Sequence, residues 1–103
     1  MMNKEQLTEQ IINPKTKGGE YFKRFYENQT DLFWSFWELN QNDSTDTSTG
    51  SEFQALGKQV EMHMFNLENM LTSRQMGGKS TEKTVTSFYT LVENYFPLYG
   101  KIE

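Results

Sequence analysis

Three features of the chain have residue types and spacings that could carry chemistry. They are the run Gly77-Gly78-Lys79-Ser80-Thr81, the single histidine His63, and the carboxylates Glu20, Glu27, Asp31 and Glu38. A Gly-Lys-Ser ending belongs to phosphate-binding loops, where backbone N–H groups cradle the phosphates and the lysine reaches the outer ones. Such a loop needs a glycine five positions before the second one, where this chain has Ser73. It also needs a preceding strand, where the apolar spacing here is that of a helix. The run reads instead as a helix C-cap at Gly77-Gly78, followed by an N-cap at Ser80 or Thr81.

His63 stands in Val60-Glu61-Met62-His63. A di-metal site in a helical bundle draws on Glu-x-x-His spacing from facing helices, and here the glutamate is two residues away with no second histidine to match. His63 is therefore expected at the edge of the core, neutral and structural. The four carboxylates share one helix face, opposite an aromatic stripe, and so stand in water, where nothing drives their pKa values apart. Glu20 and Arg24 are at i,i+4 on that face. Ser and Thr are abundant, but with one histidine and no elbow or triad spacing none is singled out as a nucleophile. The expectation is no enzyme, no cofactor and no metal.

The elements that would position any site come next. At 103 residues the chain has room for one domain, and it has no cysteine, which removes disulfides, thiolate metal sites and cysteine nucleophiles. A net charge of −4 and a pI near 5.0 lack the basic surplus that phosphate neutralisation requires, so nucleic acid is not expected as a partner. No run approaches the roughly 18 apolar residues of a membrane span, and residues 1–6 lead into no signal-like segment, so stable membrane insertion is not expected and a cytoplasmic location is. Aromatic residues make up 15% of a chain with a mean hydropathy of −0.78. The apolar material is thus concentrated in a few large side chains.

The spacing predicts an all-α fold, a small antiparallel bundle of three main helices plus a short N-terminal one. The first helix spans 3–12, opened by an Asn3/Gln6 capping box and stopped by Asn13-Pro14. A linker covers 13–19. At about 100° per residue, a helix over 20–40 places Phe22, Phe25, Tyr26, Phe33, Phe36 and Trp37 on one side. Residues 41–50 are all polar or glycine and read as an exposed loop. Ser51 and Gln54 open a helix over 51–75 with the stripe Phe53, Leu56, Val60, Met64, Leu67 and Leu71. A turn at 76–80 leads to a helix over 81–96, with Val85, Phe88, Tyr89, Val92, Tyr95 and Phe96 on one face, and Pro97 begins a tail over 97–103.

The candidate site is Trp34, Met62 and Phe65, which lie outside these stripes, together with Trp37 at the end of the aromatic arc, the kinds of side chain that anchor protein interfaces. The expected function is a non-enzymatic protein-binding module, such as a small adaptor, inhibitor, immunity-type or assembly protein, using an aromatic and methionine surface with an acidic rim. Its partner would be another protein or a second copy in a homo-oligomer. The alternative class is an apolar-ligand or membrane-surface binder, although interfacial helices usually carry Lys and Arg on their polar face and the polar face of the helix over 20–40 is mainly acidic. Antiparallel register about the polar loop adds two expectations. Gln29 and His63 should sit level and share a hydrogen bond, directly or through water, and Gly57 should lie opposite Trp34 and admit the indole.

Overall fold

A bend at Gln29 shapes the molecule. The computed structural model describes residues 3–41, 50–74 and 79–102, and these are all-α, with no strand among them. The helices are α1 (Lys4–Ile12), α2 (Lys17–Asn28), α3 (Thr30–Asn40), α4 (Ser51–Arg74) and α5 (Lys79–Tyr95), followed by a 3-10 turn at Tyr99–Lys101. The single helix expected over 20–40 is therefore two. It starts earlier, at Lys17, because Thr16 caps it by accepting from the Gly19 N–H at 3.0 Å. It breaks at Gln29, whose ψ of 47° leaves the helical region. The Gln29 N–H still donates to the Phe25 carbonyl at 2.8 Å, and the Thr30 hydroxyl donates to the Tyr26 carbonyl at 2.6 Å, so the bend leaves these groups paired. In a straight helix Phe22 and Phe33 would be about 16 Å apart along the axis. Their rings lie 6.0 Å apart, edge to face. The bend folds the aromatic stripe back onto itself and makes a core cluster of what would otherwise be a long ribbon.

Asn3 forms the expected capping box with Gln6 and starts α1, which buries Leu7 and Ile11. The end of α1 falls at Asn13, before Pro14. Ser80 and Thr81, expected as N-caps, lie inside the first turn of α5 instead. Residues 42–49 and 75–78, which hold most of the expected polar loop and of the turn at 76–80, fall outside the described residues.

Inter-helix pairs give the directions. Gly18 meets the α5 backbone at Thr84 and Phe88, Phe22 stacks on Tyr95 at 5.1 Å, and Phe25 meets Phe96 at 6.5 Å, so α2 and α5 run the same way. Phe25 meets His63 at 6.0 Å and Phe36 meets Phe53 at 5.0 Å, so α4 runs the opposite way to α2 and α3. Between them Phe22, Phe33, Phe36, Phe53, Phe88 and Phe96 are almost wholly buried. Their mutual edge-to-face and tilted geometries are those aromatic pairs prefer. Asn40, the one buried polar side chain among the described residues, ties the tail to this core. Its amide donates to the Phe36 carbonyl at 2.8 Å while its oxygen accepts from the Leu98 N–H at 2.7 Å.

Candidate protein-binding face

Helix α4 carries large apolar side chains on two opposite sides. Its inner side is the expected stripe: Phe53, Val60, Met64 and Leu71 are buried, and Leu56 and Leu67 pack against them. Half a turn round, at about 100° per residue, lies a second row: Ser51, Ala55, Lys58, Met62, Phe65, Asn69 and Thr72, spaced alternately by three and four residues. That spacing keeps the row on one side of a helix long enough to meet a partner helix. At its midpoint Met62 is 57% exposed and Phe65 is 59% exposed, more than any other large apolar side chain among the described residues. The inner side already holds the core, so no rotation of α4 could bury both rows within this fold.

The two flanks of this row differ. One carries Gln54, Glu61 and Glu68, and the other Glu52, Gln59, Asn66 and Ser73. Glu68 accepts the Tyr89 hydroxyl of α5 at 2.5 Å. Burial first, then that hydrogen bond and the charge of Glu68, push the Tyr89 phenol well above its ordinary value. Burial, and after it the charges of Glu61 and Glu68, push Tyr99 up to about 12. Both phenols therefore stay neutral below their raised values, and the negative charge of this flank is that of Glu61 and Glu68. Neither glutamate has a cation partner among the described residues, where the ion pair present is Lys4 with Glu38 at 3.0 Å.

Trp34 and Trp37 are placed elsewhere. They are half-buried, meet each other edge to face at 5.4 Å, and pack against the aromatic core. Lys4 of α1 stands over the Trp34 ring at 5.2 Å, and Trp37 shares a cleft with Leu7, Gln10, Leu91 and Tyr95. They face α1 and α5, whereas Met62 and Phe65 point away from the core. The four candidate residues are not gathered into one patch.

The proposed polar layer is also absent. His63 packs against the Phe25 ring, and no hydrogen bond joins it to Gln29, whose backbone is taken up in the bend. Gly57 faces Ile102 and Phe36 instead of Trp34: a Cβ there would lie 2.8 Å from Ile102 Cγ1 and 3.4 Å from Phe36 Cε1. Phe36, and not Trp34, lies level with Phe53 and Gly57. The bend turned Trp34 toward α1, and the tail filled the space.

Glu20, Glu27, Asp31 and Glu38 are exposed, as their face of the helix required. No group of three or more potential metal ligands exists among the described residues, and no helix is long and apolar enough to cross a membrane. A cleft of about 310 Å³ lies between the end of α1, the start of α2 and α5. Ile11, Phe22 and Leu91 provide apolar walls, and Gln10, Lys15 and Tyr95 are polar groups among its lining. Sequence spacing had singled out Met62 and Phe65. It missed Glu61, Glu68, Tyr89 and Tyr99, whose adjacency depends on how α5 and the tail lie against α4. No known protein family, curated protein or solved structure matches this chain.

Proposed function

We propose that this chain is a non-enzymatic protein-binding module whose working surface is the outer row of α4, with Met62 and Phe65 as its anchors. The observation that carries the reading is that the two largest apolar side chains of that row are more than half exposed at the midpoint of a 24-residue helix, directly opposite its core stripe. Covering them would recover about 1–2 kcal/mol each, since full burial of such side chains is worth roughly 1.5–3 kcal/mol and each is already partly covered. Two central anchors amid polar neighbours is the usual distribution of energy in protein interfaces. The all-α fold supports the surface, with α4 held from behind by α3 and α5.

Photocrosslinking in cells of the protein's own host tests the reading. A benzophenone side chain at position 65 should capture a discrete polypeptide, either a second copy or another chain, and one at exposed Glu93 on α5 should not. Absence of any adduct at position 65 refutes it. A second reading, binding of a small apolar ligand, is favoured by the cleft between α1, α2 and α5, with its apolar walls and the Tyr95 hydroxyl 3.4 Å from Gln10. Native mass spectrometry showing a small adduct lost on Leu91→Lys would select that reading.

A further inference from the structure

Resting on the reading of the α4 outer row as a docking face, we infer that its occupant is an amphipathic helix of another protein that carries lysine or arginine along one edge, and not a second copy of this chain. The argument is charge complementarity. Glu61 and Glu68 lie seven residues apart on the same flank of the row, with Tyr89 and Tyr99 behind them, and among the described residues no lysine or arginine pairs with either. A helix laid along Met62 and Phe65 must place one of its edges against that flank.

Self-pairing does not supply the missing charge. If two copies packed antiparallel through this row, equivalent flanks would face each other and Glu61 of one would meet Glu68 of the other. Like charges so juxtaposed disfavour association. If they packed parallel, Glu61 and Glu68 would face the opposite flank, where Gln59, Asn66 and Ser73 carry no cation. Lys58 lies within the row, one turn before Met62, so an antiparallel pair would carry one at each end and a parallel pair both at one end, in either case off the flank on which Glu61 and Glu68 stand. The chain's net charge of −4 adds a general repulsion between copies. A foreign helix with an apolar stripe and a basic edge covers Met62 and Phe65 and neutralises Glu61 and Glu68 at the same time.

Calorimetric titration of the full chain with two synthetic peptides tests this. Both peptides are about five helical turns long with the same leucine stripe; one has lysine at the stripe's edges and the other glutamate. The lysine peptide should bind and the glutamate peptide should not. Phe65→Ser should weaken the lysine peptide by about tenfold or more, as removal of a central anchor does. Glu61→Gln should weaken it several-fold near 0.05 M salt and by much less near 0.5 M, where screening shortens the reach of the flank. Equal binding of both peptides, or lysine-peptide binding unaffected by Phe65→Ser, overturns the inference. So does a dimer in sedimentation velocity that Phe65→Ser converts to monomer, although that outcome leaves the docking face itself standing. Failure of both peptides, together with no adduct at position 65, removes both the inference and the reading beneath it.

Discussion

Gly18→Ala sets two effects of known sign against each other, and the geometry decides between them. Gly18 sits in the first turn of α2 and is buried against the α5 backbone. A Cβ there would lie 2.7 Å from the Phe88 nitrogen, 3.0 Å from the Thr84 carbonyl oxygen and 3.1 Å from the Phe88 Cα. These are backbone atoms of a helix, so no side chain can swing aside. Ordinary contact begins near 3.4 Å, so α2 and α5 must separate by about 0.7 Å. A gap of that size forfeits about a quarter to a half of each van der Waals contact across the seam, which here includes Phe22 with Phe88 and with Tyr95. Overpacking of this kind costs about 1–3 kcal/mol, and rigid backbone neighbours place it near the upper end. Alanine returns at most about 1 kcal/mol of helix propensity. The net expectation is a loss of about 2 kcal/mol, lowering Tm by about 8–16 °C in a domain of this size. Thermal unfolding followed by circular dichroism measures it, with Gly100→Ala as the control: a Cβ at Gly100 meets nothing within 4 Å, so that variant should stay within about 0.5 kcal/mol of the parent. A Gly18→Ala protein that melts at or above the parent temperature would show that the α2–α5 seam is not the close backbone contact described here.

Four further outcomes are expected. Asn40→Ala strands the Leu98 N–H and should cost about 1–3 kcal/mol, with faster hydrogen exchange at the Leu98 amide; unchanged exchange would mean the tail holds itself in place. Tyr89 and Tyr99 have phenols raised above the unfolded value near 10, so the native state retains protons that the unfolded chain has lost, and stability, fully present below pH 10, falls as pH rises toward 12 and beyond; the double change Tyr89→Phe and Tyr99→Phe should flatten that slope in alkaline denaturation curves. Gln29→Leu and His63→Leu should be additive within about 0.5 kcal/mol, because the two side chains share no hydrogen bond, and a larger coupling in a double-mutant cycle would contradict the structure. Gly57→Ala should be less favourable in the parent than in an Ile102→Ala background, since the added methyl meets the Ile102 side chain; equal effects in urea titrations would place the tail elsewhere.

Periodicity alone determined which side of most helices is buried. Phe53, Val60, Met64 and Leu71 on α4, and Phe88 and Val92 on α5 with Phe96 just after its end, recur at helical spacing and are all buried. The reason is that an apolar stripe on a helix can be satisfied in one direction only. The same reasoning marked Met62 and Phe65 as misplaced for a core, and they are the most exposed of the large apolar residues described. The Asn3/Gln6 cap was equally legible, because every partner in a capping box lies within one turn of chain.

Tertiary structure alone decided what depends on neighbours distant in sequence. Gln29 looked like a polar residue in a continuous stripe; the backbone bends there because folding Phe33 back against Phe22 and Phe96 assembles one aromatic core, a gain no local pattern records. Once α3 turned at that point, Trp34 faced α1 and the space beside Gly57 went to Ile102, forty-five residues further along the chain. The acidic flank of α4 could be seen as two glutamates seven residues apart, but their effect on the phenols of Tyr89 and Tyr99 exists only because α5 and the tail are brought against them. Helical spacing specifies a direction around one axis, whereas these contacts depend on where the other axes lie.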